Sequence, residues 1–197
     1  MAFVVVLDAC VLFPASLRDT LLRAAQADLY RVQLTEDILE EVRRNLIKKS
    51  MPEDKAQRLI STIREKFDDA FITHHRQFIE SMPNNEKDRH VLATAVACRA
   101  QVIVTQNLKD FPLHLLASFE VEAQSPDRFL IHLFHINPES IVQILIKQAG
   151  NLRNPSMTVS EILDTLEHHV PVFVNLMRKE FGFQKDYSFP TPKSTPS

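Results

Sequence analysis

Several acidic side chains stand where a fold could gather them around a divalent cation. Asp8 ends the apolar run Phe3–Leu7 (FVVVL). Asn107 and Asp110 follow a second such run, Gln101–Thr105 (QVIVT), within Thr105-Gln106-Asn107-Leu108-Lys109-Asp110. Asp88 opens a helical stretch before that second run, and Glu41 lies in an amphipathic helical stretch further upstream. Each has a plainer reading by itself: a turn residue for Asp8, a polar turn for Asn107 and Asp110, an N-cap for Asp88, a surface glutamate for Glu41. Jointly they form a set of hard oxygen ligands with no Cys or His cluster competing. Carboxylates gathered in such numbers repel one another unless a cation neutralises them. Mg²⁺ or Mn²⁺ suits a shell of carboxylates and water.

Helix geometry separates Glu41 from its neighbour Glu40. At roughly 100° per residue, Ile38, Leu39, Val42 and Leu46 form an apolar stripe centred near Val42. Glu41 borders that stripe, while Glu40 points away from it. An acid beside the core can reach a site on a sheet, so Glu41 is the expected ligand. Asn45 and Lys48 share its side, with Arg44 slightly further round. The His74–His75 and His168–His169 pairs do not suit chelation, because adjacent helical residues diverge by about 100°.

These residues need elements to position them. Phe3–Leu7 and Gln101–Thr105 read as buried strands, short, continuous and rich in β-branched residues. Phe119–Ala123 is a third strand candidate. Helices are expected over Leu17–Leu29, from Thr35 as N-cap to about Lys49, over Glu53–Ala70 and over Asp88–Ala100. Beyond Pro126 only helices are expected, at Pro138–Ala149, Val159–His168 and Pro171–Phe181, with Thr158-x-x-Glu161 as a capping box. The last dozen residues are Pro/Ser-rich and polar, the composition of a disordered tail. Strands alternating with helices indicate an α/β fold with a mainly parallel sheet, and an acid at the carboxyl end of such a strand faces the usual ligand site.

Composition excludes other chemistries. The chain has 197 residues and only two glycines, Gly150 and Gly182, so neither a P-loop nor a dinucleotide-binding glycine loop can be built. Formal net charge is −2, so a polyanionic substrate has to be held by local positive groups or by metal. The two cysteines, Cys10 and Cys98, form no zinc or disulfide pattern. Met1–Leu7 lacks a basic segment and reads as a strand rather than a signal peptide, and no apolar run is long enough to span a bilayer. A cytoplasmic location is the expectation.

The segments VVLDACVLFPASLRD, LTEDILEEVRRNL and NEKDRHVLATAVACRAQVIVTQNLKDFP resemble PIN-domain ribonucleases, especially VapC-like toxins of toxin–antitoxin pairs. VEAQSPDRFL and NPSMTVSEILDTL resemble a helical extension found in one VapC-like subgroup. The resemblance implies a three-layer PIN-like α/β fold over residues 1–125 and a small all-helical extension over 126–184, beyond which the Pro/Ser-rich composition leaves a tail over 185–197. It implies a metal-dependent endoribonuclease in which Asp8, Glu41, Asp88 and Asp110 hold Mg²⁺ or Mn²⁺, with Thr105 and Asn107 supporting Asp110. Cleavage would leave 5′-phosphate and 3′-hydroxyl ends. A cognate antitoxin covering the acidic pocket and a homodimer are implied as well, with no membrane association. Many relatives carry an acid where Asn85 stands, and some carry Asp at position 107, so the number of ions stays open between one and two.

Arg18, Arg44 and Lys48 are candidates for holding RNA phosphates; the plain alternative for each is a solvated surface charge. Two other functions compare with a nuclease. A haloacid-dehalogenase-type phosphatase also carries an Asp after a strand, but needs an acid two residues later, where Cys10 stands. A catalytically silent PIN-fold module would bind RNA or protein without turnover.

Overall fold

Valine-rich runs of three and four residues make the centre of the sheet, because a strand covered on both faces has no use for polar alternation. The structure, a computed structural model, describes residues 3–152 and 156–182. In chain order the first half comprises β1 (Val4–Leu7), α1 (Ala9–Leu12), α2 (Ala15–Gln26), β2 (Arg31–Gln33), α3 (Glu36–Lys48) and α4 (Glu53–Lys66). Short 3₁₀ turns at Asp68–Ala70, His74–Ser81 and Glu86–Asp88 lead into α5 (Arg89–Cys98). Then come β3 (Val102–Val104), α6 (Leu113–Leu116) and β4 (Glu122–Gln124). All pairings are parallel, in the order β2-β1-β3-β4. The expected α/β architecture is present as a three-layer PIN-like fold with a helical extension.

Departures from the sequence expectations have local causes. β2 was not expected, since Arg31-Val32-Gln33 has no apolar run of its own. It is defined by pairing with β1, Val5 opposite Val32. The last strand starts three residues later than expected and ends one later, because Ala117–Phe119 forms a 3₁₀ turn and Glu120 takes a left-handed φ of 56°. α4 stops at Lys66, where Phe67 leaves helical dihedrals at φ −132°. Thr35 does cap α3, its hydroxyl accepting from the Ile38 N–H.

Four helices follow: α7 (Pro126–Ile136), α8 (Pro138–Asn151), α9 (Val159–Glu167) and α10 (Pro171–Phe181). α7 was not expected, although Ser125 caps it and Pro126 occupies its first position. The capping box of Thr158 and Glu161 is formed. α10 has no cap from its own N-terminus and takes one from α7: the Asp127 carboxylate accepts the Phe173 N–H at 2.7 Å and the Val172 N–H at 3.1 Å.

These helices pack on the α/β body. Phe129 of α7 lies edge-on to Tyr30 at 5.1 Å and to Phe3 at 6.2 Å. Between α2 and α8, Thr20 donates to Gln148, which donates back to the Ser16 carbonyl, a buried and satisfied polar bridge. The expected tail over 185–197 lies outside the described residues. Among the described residues no single helix is long and apolar enough to cross a membrane.

Candidate active site

β1 and β3 are neighbours, yet the chain leaves β1 toward β2 on one side and β3 toward β4 on the other. That reversal is a topological switch point at the carboxyl ends of β1 and β3, the place where open parallel sheets bind ligands. The register pairs Leu7 with Val104, so the next residues, Asp8 and Thr105, meet there. The Asp8 N–H donates to the Val104 carbonyl at 3.1 Å. Asp8 is 3% exposed. Its Oδ2 accepts from the Thr105 hydroxyl at 2.7 Å and from the Cys10 thiol at 3.1 Å. Thr105 in turn accepts the Asn107 N–H, and Cys10 Sγ accepts the Gln106 N–H. Burial, with the Asp8 charge adding, pushes the Cys10 thiol up to about 12, so it stays protonated and able to donate. Thr105 therefore orients Asp8 rather than Asp110, which the family resemblance had implied.

Asp88 stands at the head of α5 but makes no capping hydrogen bond. Capping there falls to Asn85, whose side chain accepts the Lys87 N–H and closes the Glu86–Asp88 turn. The buried Oδ2 of Asp88 has no hydrogen-bond partner, and neither has the buried Oδ2 of Asp110. Both oxygens lie 3.6 Å from one group, the Lys87 ammonium. Burial raises the Asp88 pKa; Lys87 opposes the rise, while the charges of Asp110, Asp8 and Glu41 add to it. The other three carboxylates thus all act electrostatically on Asp88.

Glu41 is half-buried, whereas Glu40 is exposed and held by Arg43. Glu41 Oε2 lies 3.4 Å from His90 Nε2. This contact holds the Glu41 carboxyl below its ordinary range against the effect of burial, with Arg44 and Lys87 assisting. Burial lowers the His90 pKa, but Glu41, Asp8 and Asp37 raise it further than burial depresses it. One turn before Glu41, Asp37 meets the buried His75 at 2.7 Å and Arg76 at 2.9 Å.

The phosphate-binding candidates separate. Arg18 is corrected: its guanidinium is buried and donates to the carbonyls of Leu12 and Phe13 at 2.8 and 3.1 Å. Four-residue α1 leaves its last carbonyls without partners, and Arg18 supplies the donor. Arg44 and Lys48 are exposed on α3, Arg44 close enough to act on Glu41. His74 contacts the Ala97 carbonyl, and His168 and His169 pack ring to ring. Lys87, His90 and Cys10 were missed from the sequence. Two of them were legible as flanks of Asp88, and Cys10 as a donor two residues after Asp8.

Among the described residues, no three His, Cys, Asp or Glu side chains are gathered at ligating distance. The donor set nevertheless fits a hard divalent cation. Buried oxygens of Asp88 and Asp110 without hydrogen bonds are what a cation would satisfy, and burial with neighbouring carboxylate charge makes the ionised form of Asp88 costly without one.

The PIN-domain family model matches residues 4–109, and the model described as the VapC50 C-terminal domain matches residues 126–179. A protein named "Putative ribonuclease VapC50" from Mycobacterium tuberculosis is 38% identical over 112 residues, covering 57% of this chain. The match spans 66% of that relative's length, just under two thirds. No solved structure matches the chain significantly. A PIN model matching more than half the chain, over the segment that carries Asp8, Glu41 and Asp88, shows that this protein belongs to the PIN-domain family.

Proposed function

We propose that the protein is a divalent-metal-dependent endoribonuclease that hydrolyses RNA phosphodiesters as the toxin of a toxin–antitoxin pair. One observation carries the reading: Asp88 and Asp110 have buried, partnerless oxygens, and Asp88 feels the charges of Asp110, of Glu41 and of Asp8 at the sheet's switch point. Asp8, Glu41, Asp88 and Asp110 would hold Mg²⁺ or Mn²⁺. The bound ion would supply an acidified water and offset charge at the scissile phosphorus. Thr105 and Cys10 fix the plane of the Asp8 carboxylate, so its geometry is set before any ligand arrives. His90 holds Glu41 in place from the side. Arg44 and Lys48, exposed on the helix that carries Glu41, are positioned to attract backbone phosphate.

The relative's name supports the ribonuclease and VapC part of this reading. An antitoxin masking the acid cluster, a homodimer, and a division into a nuclease body and a helical extension near residue 125 belong to the same proposal. The test is cleavage of structured RNA with Mg²⁺ or Mn²⁺. EDTA and Asp8→Asn should each abolish it, with the circular dichroism spectrum unchanged, while Glu40→Gln cuts at the wild-type rate. Persistent RNA binding without cleavage under either metal would replace the nuclease with a silent binding module.

A further inference from the structure

We propose that Lys87 is the resident cation of the acid cluster, displaced by an incoming divalent ion and then free to hold an RNA phosphate. The inference rests on the nuclease reading and adds a device to it. The Lys87 ammonium lies 3.6 Å from Asp88 Oδ2 and 3.6 Å from Asp110 Oδ2. Neither oxygen has any hydrogen-bond partner, though both are buried. The ammonium thus stands beside the two oxygens that most need a counterion. It is not locked there, since 3.6 Å lies beyond hydrogen-bond range. The Lys87 side chain is 62% exposed and rides on a flexible four-carbon stem.

Its backbone, by contrast, is fixed. Asn85 accepts the Lys87 N–H and closes the turn that ends at Asp88. A hard cation binding through the same oxygens would repel the ammonium, so the two compete for one place and each lowers the other's occupancy. The anchored turn keeps the displaced ammonium at the mouth of the cluster. A phosphate of the substrate offers the next negative charge, and metal loading would thereby arm a phosphate contact. Charges nearby fit this exchange. Besides its two contacts at 3.6 Å, the Lys87 charge also acts on the Glu41 carboxylate, so it faces three of the four acids.

The experiment compares the full chain with Lys87→Met. Mn²⁺ uptake is followed by the electron paramagnetic resonance signal of the free ion at pH 8. The variant should bind Mn²⁺ about three- to tenfold more tightly, the effect of losing two competing, partly exposed ion pairs. With Ca²⁺ as an inert ion, binding of single-stranded RNA should weaken, and its dependence on log salt should fall by about 0.7. Equal or weaker Mn²⁺ binding by the variant, with wild type binding normally, overturns the proposal alone. An unchanged salt slope overturns the transfer to phosphate. Absence of Mn²⁺ binding by wild type overturns the nuclease reading together with this one.

Discussion

Thr105 donates its hydroxyl to Asp8 Oδ2 at 2.7 Å across 97 residues of chain, because β1 and β3 pair with Leu7 opposite Val104. Thr105 is fully buried, so its hydroxyl has no water to exchange with.

Thr105→Val keeps the shape and removes the donor. A buried hydrogen bond to a charged acceptor contributes about 1.5–3 kcal/mol, so urea denaturation should show a loss of about 2 kcal/mol. Supporting bonds of this kind change metal affinity or activity by about 10- to 100-fold, and RNA cleavage should fall within that range. Thr105→Ser should recover most of both. Wild-type stability and cleavage in the valine variant would contradict the role given to this bond.

Asp88 is destabilising in the metal-free fold. Burial and three neighbouring carboxylates raise its pKa, so the folded state holds the proton more tightly than the unfolded chain does. Its contribution favours folding below the ordinary carboxylate range and is lost as pH rises through the raised value. Asp88→Asn should therefore melt higher than wild type in EDTA at neutral pH, by about 2–4 °C for each kcal/mol relieved. The same variant should not cleave RNA and should gain nothing from Mn²⁺. Differential scanning calorimetry with and without metal separates the two effects.

His90 carries the opposite dependence. Burial lowers its pKa from 6.5, but Glu41, Asp8 and Asp37 leave the folded value raised. The stabilisation is complete below the unfolded value and disappears as pH rises through the folded one. The urea midpoint of the metal-free protein should decline on going from about pH 6 to pH 8.5, and His90→Gln should flatten that decline. Parallel curves for the two proteins would remove His90 as the source.

Arg18 is structural. Arg18→Ala leaves the carbonyls of Leu12 and Phe13 without their donor and should cost about 1–3 kcal/mol in chemical denaturation. RNA affinity and its salt dependence, measured with Ca²⁺, should stay at wild-type values. A shallower salt slope in the variant would return Arg18 to the phosphate contacts.

Periodicity and residue type carried much of the architecture. The valine runs at 4–7 and 102–104 are strands because their apolar content suits two covered faces, and Thr35 and Thr158 cap helices through bonds made within three residues. The facing of Glu41 and Glu40 also follows from local geometry, since a helix sets side-chain direction by rotation alone. β2 was not legible, because Arg31–Gln33 is a strand only through its pairing with β1.

By itself the sequence determined an α/β chain, the places of Asp8, Glu41, Asp88 and Asp110 along its elements, and the exclusion of thiolate clusters and glycine loops. Tertiary structure decided which partner each acid has. Thr105 serves Asp8 and not Asp110, Arg18 closes a helix end, and Lys87 stands between Asp88 and Asp110. Those assignments depend on strand register and on how α3 and α5 meet, contacts between residues far apart in the chain. Local spacing encodes direction along one element; it carries no information about which distant donor or cation will stand opposite.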